Sequence, residues 1–416
     1  MDIHELIHGI EGCDCGKDHR CPVDFINIGP NALDCLPQLC SDYRHILLIS
    51  DENTWKACGC TAHRLISEKI GFNFILTSHT DVIIPNEEKI AEIEAALTTD
   101  TDLIIGVGSG VINDLCKYVS FCHGLPYYII ATAPSMDGYV SVGAALILGG
   151  MKVTLNARPP KAVIADTGIL KNAPMEMIQA GYGDIIGKFS CLNDWKLSSL
   201  INGEYYCQRV YDLTYDCAVQ VSQLAQGIAA RNEKTIGLLM EALVVVGIAM
   251  AYVDCSRPAS GSEHHFSHFF EITGILENKP YFSHGIDVAF SAVVTALLRE
   301  AILQRKPIRR NFDRAVWEQE IRRVYASSAD GIIALQDKLG WYEKEDSVQE
   351  QWPRIQELLL EAPSADAFNK MLDAVGLHFD DFINLYGTDK IRDAVLYAKD
   401  LKDRYTVLWL YYTYFR

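Results

Sequence analysis

Between residues 45 and 131 the chain alternates short, continuously apolar runs with helix-patterned segments, and this alternation constrains the fold more than any other feature. The runs His45–Ser50 (HILLIS), Phe72–Thr77, Leu103–Val107 and Tyr127–Ala131 are predicted strands. The segments Thr54–Ile70, Pro85–Leu97 and Val111–Phe121 are predicted helices, with Ile90, Ile93 and Leu97 on one face of the second. Strands that are apolar on both faces need cover on both faces. Helices between them supply it, which gives a parallel α/β sheet. Further on, Lys152–Leu155 and Ala162–Ala165 flank Arg158-Pro159-Pro160 and suggest a hairpin-like return. From Asp184 onward strand patterns nearly vanish. Helical runs cover Ile185–Ser199, Tyr205–Ala230, Lys234–Tyr252, Ile286–Gln304 and Phe312–Ser327. A chain of 416 residues exceeds one ordinary core. We therefore expect an α/β domain over residues 1–180 and a helical domain over 181–416, divided near Gly181-Tyr182-Gly183. The stretch Tyr405–Phe415, rich in Tyr, Trp and Leu, is expected to be a packed helix or an oligomer contact.

Ligands of parallel sheets bind at the carboxyl ends of the strands, so the strand ends are the first places to look for chemistry. The third predicted strand runs into Gly106-Val107-Gly108-Ser109-Gly110-Val111-Ile112 and then a helix. Glycines admit a pyrophosphate close to the backbone and a helix start offers free N–H groups, though a tight ligand-free turn reads the same way. Asp51 ends the first strand and suits either a ribose hydroxyl or a helix N-cap. Ala131-Thr132-Ala133-Pro134-Ser135-Met136-Asp137-Gly138-Tyr139-Val140-Ser141 follows a strand and is dense in hydroxyls. It suits a wall of a cofactor and substrate cleft, or an ordinary Pro/Gly loop. In the helical half, Asp184 follows two glycines as if opening a helix. The string Gly261-Ser262-Glu263-His264-His265-Phe266-Ser267-His268 and the pair His284-Gly285 add imidazoles. On a helix His264 and His268 share one face, while His265 points roughly 100° away. One Asp and two His around an ion, with positions left open, is a catalytic rather than a closed structural pattern.

The formal net charge of -17 excludes a general affinity for nucleic acid, and it repels anions at long range. Any phosphate must then be held by local groups, for which Lys152, Arg158, Lys161, Lys188 and Arg257 are the candidates. The longest apolar stretch, Ala242–Val253, is bounded by Glu241 and Asp254 and reads as a buried helix too short to span a bilayer. Residues 1–14 lack the basic start of a secretory signal, so a cytoplasmic location is expected. Thirteen irregularly spaced cysteines then read as reduced thiols. Cys13, Cys15, His19 and Cys21 have zinc-ligand chemistry at short spacing but lack paired CxxC loops, and we read them as a polar terminal tail.

Taken in order, the strings Thr132-Ala133-Pro134-Ser135-Met136-Asp137-Gly138-Tyr139, Gly181-Tyr182-Gly183-Asp184-Ile185-Ile186-Gly187-Lys188, Arg257 through His268 and His284-Gly285 resemble the sn-glycerol-1-phosphate dehydrogenase family. The resemblance runs from about Asp51 to about Ala289. That family is grouped with iron-containing alcohol dehydrogenases, glycerol dehydrogenases and dehydroquinate synthases. The resemblance implies a dehydroquinate synthase-like fold, with an N-terminal Rossmann-like α/β domain, an all-α C-terminal domain and an active site in the cleft between them. Residue by residue, it implies that Asp184, His264 and His284 are metal ligands and that Asp137 and His268 contact substrate. It assigns Asp51, Gly108, Ser109, Gly110, Val111, Ile112, Thr132, Ser135 and Ser141 to NAD(H) or NADP(H). The superfamily's common triple-glycine turn reads Gly108-Ser109-Gly110 here, and beyond about Arg305 no motif is matched.

The implied reaction is reversible hydride transfer between NAD(P)H and dihydroxyacetone phosphate, giving sn-glycerol 1-phosphate. A divalent metal stabilises the substrate oxygen, and His268 serves as a proton relay or a substrate hydrogen bond. Zinc is the first choice for two His and one carboxylate, with nickel or iron as alternatives. The implied partner is a small phosphorylated triose or polyol, with no nucleic acid and no membrane span, in a homo-oligomer. The alternatives are a glycerol-type polyol dehydrogenase and a sugar-phosphate cyclase. Asp rather than Glu as first ligand favours oxidoreduction over the cyclase.

Overall fold

A computed structural model of the protein describes residues 3–78, 83–149, 151–342, 344 and 347–416, without the side chains of Met151 and Lys152. Eight strands lie among the described residues: β1 (Phe25–Gly29), β2 (Ile46–Asp51), β3 (Ile70–Leu76), β4 (Leu103–Gly108), β5 (Tyr127–Ala131), β6 (Gly143–Leu148), β7 (Met151–Asn156) and β8 (Ala162–Asp166). Six of them form a sheet in the order β1-β8-β5-β4-β2-β3, with every neighbouring pair parallel. Leu48, Ile49, Ile104, Ile105, Ile129, Ile130, Val163 and Ile164 have no exposed surface. Burying each such side chain stabilises the fold by about 1.5–3 kcal/mol, which is why these apolar runs become interior strands.

The predicted strands at β2, β3, β4 and β5 are present, and three local expectations are corrected. Lys152–Leu155 does not return onto Ala162–Ala165. It pairs antiparallel with β6, from Gly143↔Asn156 to Leu148↔Met151. The burial pattern explains the split. Residues 153–156 alternate between half-buried and exposed and suit a two-stranded hairpin, whereas β8 is buried along Ala162–Ala165 and needs neighbours on both sides. The expected helix Thr54–Ile70 is present but shorter, a continuous helical run over residues 52–65 with a π-helical stretch at Trp55–Gly59, because β3 begins at Ile70. The edge strand β1 carried no apolar run, since only Ile26 of its residues is buried. The N-terminal segment read as a tail is folded, with His19 only 1% exposed.

Helix α1 (Gly110–His123) follows β4, and α2 (Met175–Asn202), α3 (Glu233–Val253), α4 (Ser262–Glu277) and α5 (His284–Leu303) follow later in the chain. The chain divides into two compact units, Met1–Gly181 with Gln226–Ser256, and Tyr182–Ala225 with Arg257–Arg416. Residues 226–256, expected in the helical domain, thus belong with the sheet. The physical reason is α3, which is buried without a break from Ala242 to Val253. A helix apolar on all sides needs cover on all sides. Within the first unit, Glu233 binds Lys171 and Thr167, and Gly247 admits the Asp137 carbonyl and Val140. At 21 residues α3 is longer than the run read from sequence, and an 18-residue window within it has a mean hydropathy of 2.3. It is the one helix among the described residues long and apolar enough to cross a membrane, and 89% of that window is buried inside the protein.

The second unit is helical among its described residues. Its last helix, Val407–Tyr414, is packed rather than free, with Trp409 1% exposed and 4.8 Å from the Tyr342 ring. Beside it Lys399 has no exposed surface and lies 3.7 Å from the Tyr412 ring centroid and 2.6 Å from Asp400.

Candidate functional site

Two glycines of α2 decide how closely it approaches α5. A Cβ on Gly183 would sit 2.5 Å from the Gly285 carbonyl oxygen and 2.6 Å from Ala289 Cβ. One on Gly187 would sit 2.5 Å from Val288 Cγ1. Close backbone approach is the use of these glycines. Gly181 and Gly183 do not mark a helix start before Asp184, because α2 begins at Met175 and Asp184 lies in its interior. Two glycines in the contact adjoin candidate metal ligands, Asp184 after Gly183 and His284 before Gly285. Helix α4 packs on α5 and carries His264 in its first turn.

Asp184, His264 and His284 therefore converge. One donor atom from each lies within 4.8 Å of the others, forming a metal-binding cluster of two imidazoles and a carboxylate. His264 Nδ1 is 2.6 Å from Glu263 Oε1, and Nε2 is 3.5 Å from Asp184 Oδ1. A carboxylate can only accept, so Glu263 fixes the proton on Nδ1 and turns Nε2 toward Asp184. Burial opposes a charged His264, but Asp184 and Glu263 outweigh it and hold its pKa up. Burial alone would likewise raise the Asp184 carboxyl, yet Lys188, His264 and His284 hold it below the usual carboxylate range. The place taken by a proton between Nε2 and Asp184 suits a divalent ion, whose binding displaces such protons. On the other side, Ser267 Oγ lies 3.1 Å from His284 Nδ1.

His268 joins the same cluster, its ring centroid 5.5 Å from that of His284 and 6.4 Å from that of His264. His265 is fully buried on another face of α4, as helix geometry requires. Burial first, then Arg404, Lys402 and Arg257, keep it neutral. Glu271 was missed in the sequence. With His268 and His284 it forms a second trio within 4.8 Å, and its i,i+3 spacing from His268 was the available signal. Lys188, a candidate phosphate group, is fully buried and donates to Asp184 at 2.6 Å and to the Ala259 carbonyl at 3.0 Å. Arg257 is held by the Glu204 carboxylate and the Tyr405 carbonyl. Arg158 is exposed, Lys161 is exposed and 3.6 Å from Asp24, and the Lys152 side chain lies outside the described residues.

The candidate cofactor residues all fall in the first unit. The sheet order reverses between β2 and β4, since β3 lies outside β2 while β5 and β8 continue beyond β4. A crevice opens at the carboxyl ends where such a reversal occurs. Asp51 ends β2, Gly108 ends β4, and Ser109 and Gly110 start α1 behind it. A Cβ on Gly108 would meet Ile112 Cβ at 2.5 Å, whereas at Gly110 the nearest atoms are 3.7 Å away on Met136. Gly108 is thus required by packing, whereas a Cβ at Gly110 would make only ordinary contact with Met136. Asp51 accepts from Thr54 N at 2.8 Å in a capping box, the helix-cap role weighed above. Thr132 follows β5, with its N–H on Gly108 O at 3.0 Å. Ser135 is half-buried in the loop that follows, and Asp137 is buried. Ser141 does not project freely. Its hydroxyl lies 3.1 Å from the Nζ of Lys117, a fully buried residue the sequence did not single out. Lys117 also binds the Gly138 and Gly143 carbonyls, at 2.8 and 2.9 Å, and so clasps the loop. Burial lowers its pKa, and Asp114 and Asp137 counter that.

A family model for iron-containing alcohol dehydrogenases matches residues 27–174. A relative from Bacillus velezensis, a glycerol-1-phosphate dehydrogenase (NAD(P)+), is 33% identical over 400 residues, covering 93% of this chain and 90% of its own. One of the same name from Halalkalibacterium halodurans is 33% identical, over 71% of this chain and 75% of its own. Among solved structures, sulfoacetaldehyde reductase from Bifidobacterium kashiwanohense in complex with NAD+ superposes with a TM-score of 0.62 at 14% identity, over 95% of this chain and 97% of that one. Glycerol dehydrogenase from Schizosaccharomyces pombe superposes with a TM-score of 0.55 at 14% identity, over 92% and 94% of the two chains. At such identities the structures share the fold.

Proposed function

The chain belongs to the glycerol-1-phosphate dehydrogenase family, and from that premise we propose how its residues divide the work. It is an NAD(P)-dependent oxidoreductase that interconverts dihydroxyacetone phosphate and glycerol 1-phosphate. The observation that carries the residue assignment is the convergence of Asp184, His264 and His284 within 4.8 Å. Those three residues hold one divalent ion, and their donor set favours zinc. When bound, the ion supplies a Lewis acid for the substrate oxygen and the nicotinamide supplies the hydride. Glu263 keeps the His264 tautomer that leaves Nε2 available, and Ser267 orients His284 in the same sense. Lys188 compensates the buried charge of Asp184. An imidazole nitrogen of His268 hydrogen-bonds the substrate or passes it a proton. The turn Gly108-Ser109-Gly110 takes the pyrophosphate at the start of α1. We place the enzyme in the cytoplasm, from its acidic charge and its thiols.

Steady loss of NADH absorbance with dihydroxyacetone phosphate, abolished by chelation and restored by zinc, tests the reading. Turnover of free dihydroxyacetone or glycerol as good as that of their phosphates would make the enzyme a polyol dehydrogenase. Activity untouched by exhaustive chelation would remove the ion from the proposal.

A further inference from the structure

The N-terminal residues read from sequence as a tail form a built turn. Ile10 and His19 exchange both backbone hydrogen bonds at 2.8 Å, which clasps the base of a loop. Inside it Gly16 N donates to the Cys13 carbonyl at 2.9 Å, and Gly12 N donates to Asp18 Oδ1 at 2.9 Å. Gly12 and Gly16 have φ of +61° and +83°, a left-handed backbone that glycine adopts without strain. The turn brings Cys13, Cys15 and His19 together, with donor atoms within 4.8 Å of one another. Cys13 is 6% exposed and His19 is 1% exposed, with Cys15 half-buried beside them.

The hydrogen bonds around His19 fix its chemistry. Its Nδ1 is 2.8 Å from the Tyr252 carbonyl at the end of α3, and a carbonyl only accepts. Nδ1 therefore carries the proton, and the Nε2 lone pair faces the thiols, 3.3 Å from Cys15 Sγ. A backbone carbonyl behind one ring nitrogen, with the other turned to sulfur, is the arrangement of a metal-bound histidine.

We propose that Cys13, Cys15 and His19 hold a structural zinc ion, in addition to the ion at Asp184, His264 and His284. Two thiolates and an imidazole are soft donors that select zinc over magnesium or calcium, and they leave one tetrahedral position for a further donor. Binding releases the two thiol protons, and the dianionic sulfur pair balances the ion's charge. Through His19 and Tyr252, and through the Tyr252 hydroxyl on the Leu6 carbonyl, the ion locks residues 3–23 onto the end of α3. Cys21, grouped with these residues in the sequence, is not among the donors.

The test uses the full chain loaded with zinc and desalted. Wild type should retain about one equivalent more zinc than C13S/C15S, and its X-ray absorption should show a zinc–sulfur shell near about 2.3 Å. D184N/H264A should lose the other ion and keep the sulfur shell. C13S/C15S should keep wild-type turnover at low temperature but lose it on heating at a lower temperature than wild type. If the double variant does not fold, the wild-type absorption spectrum alone decides. A wild-type spectrum without sulfur ligands, or a sulfur shell that persists in C13S/C15S, overturns the proposal. The contacts would then be a thiol–imidazole hydrogen bond, or the ion would sit on other cysteines.

Discussion

Gly183→Ala separates helix propensity from site geometry, because the two predict opposite signs. In a helix interior, Gly to Ala is favourable by about 0.8–1.0 kcal/mol when the new methyl meets nothing. At Gly183 it meets the Gly285 carbonyl oxygen at 2.5 Å and Ala289 Cβ at 2.6 Å. Ordinary contact begins at 3.4 Å, so α2 and α5 must separate by about 0.9 Å at the point where Asp184 and His284 face each other. Overpacking of this kind costs about 1–3 kcal/mol, which cancels the propensity gain or exceeds it. Metal–ligand distances tolerate only about 0.2 Å, and a misplacement near 1 Å costs about 100-fold in rate. We expect kcat/KM to fall about 100-fold and zinc affinity at least about 10-fold, with Tm level or lower. The assay is NADH-linked turnover with dihydroxyacetone phosphate, zinc titration and calorimetry. Gly331→Ala is the control. That glycine is exposed within the helix Ala329–Leu339, with nothing within 4 Å of a Cβ, so it should raise Tm slightly and leave turnover alone. A G183A enzyme with raised Tm, full zinc and full turnover would refute the reasoning.

Replacing Asp184, His264 or His284 by Ala should remove metal and turnover together, as metal analysis beside kinetics will show; an active, metal-free variant contradicts the assignment. Gly110→Val should raise the nicotinamide Kd with the Asp184 metal still bound, since room for a Cβ there spares the fold; unchanged affinity, by fluorescence titration, counts against the pyrophosphate turn. Lys399→Met should destabilise the second unit by about 3–5 kcal/mol, because it strands the buried Asp400 carboxylate, and urea unfolding measures it. Burial pushes the Lys399 pKa down to about 8 despite Asp400. Because the folded value lies below an unfolded value of about 10.4, charging this lysine favours the unfolded chain, so stability rises as pH rises from about 8 to about 10.4. Wild type minus K399M should therefore show a stability difference that rises with pH across that window, and a flat difference sinks the account.

Where burial followed local sequence, the fold was legible. β2, β4 and β5 are continuous apolar runs, and such runs have few places to go except the middle of a parallel sheet. β1 was not legible because an edge strand is only partly covered and needs no apolar run. Nor was the membership of α3, since an all-apolar helix states that it is buried and not against which unit. The donors at Asp184, His264 and His284 were legible as residue types. Their convergence was not, because it depends on a glycine contact between helices about a hundred residues apart in sequence. Gly183 read as a helix-start signal when its role is a missing side chain in the interior. Lys117 and Glu263 escaped notice because a buried lysine or glutamate is indistinguishable in sequence from the surface kind.

The charges around the candidate metal cluster bear on how an acidic protein accepts an anionic substrate. With a net charge of -17 the chain repels a phosphate dianion at a distance. Close in, Asp184, Glu263 and Glu271 bring three carboxylates together; Lys188 bonds Asp184, and Arg299 lies in the field of Glu263. Such a cluster rejects an anion unless further positive charge is present. A divalent ion adds two positive charges where the donors converge, and the Glu263–His264 and Ser267–His284 bonds hold the imidazoles ready for it. On the proposed reading the ion is therefore needed to admit the substrate as well as to activate it. Metal-stripped enzyme should bind glycerol 1-phosphate far more weakly than zinc enzyme does. The loss for uncharged glycerol should be smaller by the electrostatic part, and that part should shrink as ionic strength rises. Equal losses for the two ligands at every salt concentration would show that the ion acts on the reacting oxygen alone.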